Sequence, residues 1–102
     1  MVHRRDEDQS RENRTRVRQI LLRDWDPIGV RDEPAASDEY DRYADRAYGM
    51  LMDERATAET IAAYLEAIAA EHMRLGVDQL RAKRSRQVAE KLVALRPGFE
   101  TH

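Results

Sequence analysis

A chain of 102 residues with 18 basic and 20 acidic side chains, formal net charge −2, has room for one domain and no strong excess of either sign. Without cysteine there is no disulfide framework, thiol chemistry or Cys-type zinc site, and four Gly and three Pro exclude a glycine-rich phosphate loop. No apolar run approaches the ~18 residues of a membrane span, and no short hydrophobic stretch follows the N-terminal arginines as a secretion signal requires.

Residues 1–13 contain one Val and no large aromatic or branched-chain anchor beyond it. They cannot offset their ordering entropy, so composition marks them as a mobile charged arm. A helical signal begins near Ser10, with Val17, Ile20 and Leu21 at i, i+3, i+4. Trp25-Asp26-Pro27 ends it, because proline donates no hydrogen bond and pushes its predecessor out of the helical region. Residues 28–36 read as a loop. A second helix is expected from Ser37 or Asp38 to Asp53, with Tyr40, Tyr43, Ala44, Ala47 and Leu51 inward and Asp38, Glu39 and Asp41 in its first turn, where the helix dipole favours negative charge. In the third, Thr57 is the cap, Ile61, Leu65, Ile68 and Leu75 the stripe, and Gly76 the closing residue. The fourth is expected from the cap Asp78 to Leu95, with Leu80, Val88, Leu92 and Leu95 inward and Pro97-Gly98 as its stop. Nothing alternates with a period of two over a strand length. The expectation is an all-α, compact four-helix domain with short loops over residues 14–96, a disordered polar N-terminal arm (1–13) and a tail (97–102).

Leu, Ile, Val and Phe number only 19, against 14 Ala, so the core is lean; stripes of this regularity make it sufficient. The net charge divides unevenly: +2 over residues 1–24, −6 over 25–60 and +2 over 61–102. Such segments either neutralise one another across the fold or offer an acidic surface to a basic partner, whose association is then salt-sensitive. Arg outnumbers Lys 16 to 2 along the whole chain, a skew that fits the codon bias of a high-GC genome. In the basic group Arg81, Lys83, Arg84 and Arg86, helical spacing of ~100° per residue points Lys83 and Arg86 outward and sets Arg81 and Arg84 beside the apolar stripe. One of these two is expected to close onto the acidic 24–41 segment.

His72 falls within the apolar face of the third helix and reads as a satisfied core histidine; with His3 and His102 in the tails, no Ser-His-Asp or Glu-His constellation forms. The carboxylates Asp24, Asp26, Asp32, Glu33, Asp38, Glu39 and Asp41 lack the spacing of a calcium loop, and two of them serve as caps, so no metal or other cofactor is expected. Trp25, the sole Trp, reads as a structural anchor whose indole N–H finds an acceptor.

At Trp25-Asp26-Pro27-Ile28-Gly29-Val30, then Pro34, then Asp38-Glu39-Tyr40-Asp41, the chain resembles the YugE-like family of small bacterial all-α proteins. In that domain of unknown function a WDPIG element is followed by a P…DEYD element. Residues 64–77 and 88–95 are similar in pattern, so the resemblance covers roughly 16–95. It implies a compact helical fold in a bacterial cytosol and supplies no catalytic residue, because the family has no assigned activity.

These observations point to a non-enzymatic protein-binding or regulatory module of the immunity or inhibitor kind. Its candidate partner-binding residues are Asp26, Asp32, Glu33, Glu39 and Asp41, in a corner shaped by Trp25, Pro27, Gly29, Asp38 and Tyr40. The alternative is a nucleic-acid-associated regulator using the arginines of the fourth helix and the N-terminal arm. A cytoplasmic protein with no membrane contact is expected, and a homodimer would enlarge the small core.

Overall fold

The stripes and caps of the sequence assemble into four helices, α1 (Val2–Ile20), α2 (Ser37–Met52), α3 (Ala58–Ala67) and α4 (Gln79–Glu100). The computed structural model describes residues 2–26, 37–76 and 78–100, without the side chains of 2–7, 37 and 72. No strand occurs among the described residues. α1 packs chiefly on α2 and α3 chiefly on α4; the end of α1 against α4 joins the two pairs.

Val17, Ile20 and Leu21 are all buried, as their spacing requires. The helix starts at Val2, well before the expected cap at Ser10. Once a segment is anchored, each further helical residue adds a hydrogen bond without a new nucleation cost, so polar residues extend it readily. Asp8 and Arg11 stand 3.7 Å apart one turn along it. Gln9 donates to Asn13 at 3.0 Å. Asn13 is itself buried and donates to the Tyr48 hydroxyl at 3.1 Å, which fastens α1 to α2.

Three helix ends widen in their last turn. At the end of α1, residues Leu21–Trp25 form a π-type turn in which Asp26 N–H donates to the Leu21 carbonyl at 2.8 Å. α3 continues into a similar turn, Ile68–His72, where Met73 N–H reaches Ile68 O at 3.1 Å. After α2, Glu54 N–H reaches Gly49 O at 3.2 Å and Ala56 N–H reaches Met50 O at 2.8 Å. Arg55 (φ 50°) and Arg74 (φ 55°) occupy the left-handed positions that end α2 and α3. Gly76 therefore does not close α3: it has an ordinary φ and open space where a Cβ would lie. The cap Thr57 is as expected, accepting from Thr60 N–H at 3.2 Å.

The left-handed conformation costs an ordinary L-residue about 1 kcal/mol that glycine avoids. Arg74→Gly should accordingly stabilise the fold by about 0.5 kcal/mol, and Gly76→Ala should be neutral or mildly stabilising. Paired urea melts check both, and a clear loss in Gly76→Ala would restore the closing role to Gly76.

α4 departs most from expectation. Asp78 caps it, its carboxylate accepting from Leu80 N–H at 2.9 Å and Arg81 N–H at 3.3 Å. Its buried face is Ser85, Val88, Ala89, Leu92 and Phe99, while Leu80, expected inward, is 80% exposed. Pro97-Gly98 does not stop the helix, which runs on to Glu100. Proline forfeits one bond near the helix end. The following turn regains contact through Phe99, which is buried edge-on against Tyr48 with ring centroids 5.8 Å apart. Arg96 adds a clamp, donating from Nε to the Leu51 carbonyl at 2.8 Å and from Nη2 to the Ala56 carbonyl. It thereby satisfies carbonyls at and beyond the end of α2.

Candidate functional site

The corner between α1 and α2 is built on aromatic rings. Trp25 is 1% exposed, and its ring lies 6.1 Å from that of Tyr40, which meets Tyr43 edge-on at 5.4 Å. The anchor reading of Trp25 is the observed one: indole N–H donates to Ser85 Oγ at 3.0 Å, tying the end of α1 to α4. Tyr40 is buried except for its path to Asp26, whose Oδ1 accepts its hydroxyl at 3.0 Å. Burial, reinforced by the negative charge of Asp26, pushes the Tyr40 hydroxyl far above its ordinary range. Burial also raises Tyr64, to about 12. Tyr40 is thus a hydrogen-bond donor to Asp26 at neutral pH.

Of the candidate partner-binding carboxylates, Asp32 and Glu33 lie outside the described residues, as do Pro27 and Gly29 of the corner motif. The His72 side chain is likewise outside the description. Asp26 is half-buried and engaged by Tyr40. Asp41 is exposed but stands 3.2 Å from the Arg18 guanidinium of α1. Asp38 and Glu39 sit in the first turn of α2 and face solvent. Mutual neutralisation of charge between segments is therefore partly realised. Arg14 reaches Asp45 at 3.6 Å and Lys91 reaches Asp24 at 2.7 Å.

Neither Arg81 nor Arg84 makes the expected closure onto the 24–41 segment with a described residue. Arg81 turns to α3, with Nε 3.4 Å from Glu66 Oε2 and Nη2 2.7 Å from the Gly76 carbonyl. The α4 cation that does reach this segment is Lys91, through Asp24, as Arg18 of α1 does through Asp41. Arg84 is exposed and lines a groove with Arg23, Asp24, Gln87, Val88 and Lys91. Sequence reasoning also passed over Ser85 and Glu66. Ser85 is fully buried and donates to Glu66 Oε2 at 2.6 Å while accepting from Trp25, so Trp25, Ser85, Glu66 and Arg81 form one chain of hydrogen bonds across three elements. A serine in phase with Val88 and Leu92 was the available signal.

The Lys91 ammonium, by hydrogen bond and charge, holds the Asp24 carboxyl below its ordinary range, against the opposing effect of burial; Arg23 adds to the lowering. A depressed folded pKa contributes stability that is present above the unfolded value of 3.8 and is lost as pH falls through the folded pKa. Stability of the parent chain should therefore fall below about pH 4 more than that of Asp24→Asn, by less than about 1 kcal/mol for so exposed a pair. Urea midpoints between pH 7 and pH 2.5 test this, and parallel curves would deny Asp24 any part in the acid response.

Among the described residues no group of three or more His, Asp or Glu is placed to hold a metal ion, and no helix is long and apolar enough to cross a membrane. Compared with known proteins, the chain matches no family model, no curated protein and no solved structure.

Proposed function

We propose that the protein is a non-enzymatic binding or regulatory module that presents its acidic corner to a protein partner, as small immunity and inhibitor proteins do. The observation that carries this reading is the Tyr40–Asp26 hydrogen bond beside the Trp25–Tyr40 ring contact. It joins Asp26 to the start of α2 on a buried base, so Asp26, Glu39 and Asp41 need little ordering when they bind. Membership of the YugE-like family, resting on the WDPIG and DEYD resemblance of the sequence alone, and with it a bacterial cytoplasmic setting, belongs to the same proposal. The exposed Leu80 extends the proposal to a homodimer, which light scattering on Leu80→Glu and the parent chain tests.

Affinity purification from the native host, repeated with Asp32→Lys/Glu33→Lys/Glu39→Lys, is the decisive experiment. A partner held by the parent chain should be lost by the variant and released from the parent by salt. Equal recovery with both chains would remove the acidic corner as the binding surface.

A second reading, a nucleic-acid-associated regulator, draws on α4. Arg81 is committed to Glu66, and Arg86 lies 3.8 Å from Glu59 and 3.6 Å from Glu90. Lys83 and Arg84 face solvent.

A further inference from the structure

The end of α1 and the outer face of α4 enclose a shallow groove of about 460 Å³ lined by Arg23, Asp24, Arg84, Gln87, Val88 and Lys91. We propose that this groove binds the phosphodiester backbone of nucleic acid. The proposal rests on the second reading above and narrows its site, from the arginines of the fourth helix and the N-terminal arm to three cations that two helices bring together.

Five of the six lining residues are polar. Three cations against the single carboxylate of Asp24 leave the groove at +2, although the chain as a whole is −2. Asp24 organises two of the cations without burying them. Lys91 Nζ lies 2.7 Å and Arg23 Nε 3.4 Å from its oxygens, while the Lys91 and Arg23 side chains remain 51% and 66% exposed. Each keeps unused donors, since a guanidinium has five N–H groups and an ammonium three. Arg84 is exposed and has no ion pair among the described residues, and Gln87 adds an amide donor on the same face.

Spacing favours an extended polyanion over a single ion. Arg84 and Lys91 are seven residues apart on one helix face, about 10.5 Å at ~1.5 Å per residue. That is well beyond the ~3.4 Å axial rise per phosphate of one B-form strand, so the two cations reach different phosphates. The two ends are fixed by packing, not by loops. Arg23 lies between the buried Leu21 and Trp25, and Arg84 and Lys91 flank the buried Val88.

Fluorescence anisotropy with a labelled 20-base-pair duplex at low salt tests the proposal. Three phosphate contacts predict a slope of log K against log salt of about −2.7 for duplex and −2.1 for single strand. Arg84→Gln/Lys91→Gln should bind at least about tenfold more weakly, whereas Arg46→Gln/Arg55→Gln, an equal loss of charge on side chains paired with Glu54 and Glu100, should stay within about threefold. Asp24→Asn removes the competing carboxylate and should tighten binding about threefold, a gain that misfolding does not imitate. No binding at ~50 mM salt would overturn the site together with the nucleic-acid reading. Loss on Lys83→Gln/Arg86→Gln but not on the groove variant would overturn the site alone. Competition by poly-glutamate as strong as by unlabelled duplex would make the groove a docking site for acidic protein instead, and so would also overturn it.

Discussion

Trp25→Ala should destabilise the protein by about 3–5 kcal/mol, the cost of emptying the space of a fully buried aromatic ring. Against a total of about 5–15 kcal/mol for a domain, that is a large share, and Tm should fall by more than about 10 °C. Three losses combine at this position. The ring leaves a cavity where α1 meets α4, Tyr40 loses its tilted neighbour at 6.1 Å, and Ser85 loses the indole donor at 3.0 Å. Trp25→Phe also loses the indole donor but keeps much of the ring volume, so it should cost roughly half as much. The sole Trp is also the natural fluorophore, so unfolding has to be followed by circular dichroism. A Trp25→Ala chain that melts with the parent would refute the anchoring role and return Trp25 to the partner surface.

Large periodic residues made most of the fold legible. Tyr40, Tyr43, Ala44, Ala47 and Leu51 on α2, and Ile61, Leu65 and Ile68 on α3, are all buried where helical spacing puts them. α4 was misphased because only its large residues were counted. Ser85, Val88, Ala89 and Leu92 centre the buried face, and at ~100° per residue Leu80 then points about 130° away from that centre while Arg81 points nearly along it. Small side chains mark close approach between helices, and a stripe drawn from Leu and Val alone rotates away from them. Pro97-Gly98 misled for a different reason. A local stop signal is overridden when the next turn carries a residue such as Phe99 that gains tertiary contact.

Partners were less legible than elements. The imbalance of −6 over residues 25–60 was visible, but which carboxylates stay free depends on arginines distant in sequence. Arg18 takes Asp41 and Arg14 takes Asp45, while just outside the segment Lys91 takes Asp24 across 67 positions. The same holds for the basic groove. Arg23 and Lys91 belong to segments that spacing treats separately, and only the packing of α1 on α4 makes them neighbours. Periodicity reports the face on which a residue lies and says nothing of what that face meets.

Glu66→Ala is expected to cost about 2–3 kcal/mol, more than its partly exposed position on α3 suggests. Its carboxylate accepts from buried Ser85 at 2.6 Å and from Arg81 at 3.4 and 3.5 Å. Removing it leaves a hydroxyl in the core without its acceptor. It also leaves Arg81, whose side chain is only 11% exposed, with the Gly76 carbonyl as its remaining partner in this network. If the loss stems from stranding a charge, removing both partners should be milder than removing one. Glu66→Leu/Arg81→Leu should therefore be more stable than Glu66→Ala, since an apolar pair needs no desolvation of ions. The hydroxyl's share separates in a cycle with Ser85→Ala, where a coupling of about 1 kcal/mol with Glu66→Ala would measure the Ser85–Glu66 bond itself. Urea denaturation of the five chains (parent, Glu66→Ala, Ser85→Ala, their double variant and Glu66→Leu/Arg81→Leu) at neutral pH supplies every value. A Glu66→Ala midpoint within about 0.5 kcal/mol of the parent would reduce the network to a surface ion pair that adds little to the packing of α3 on α4.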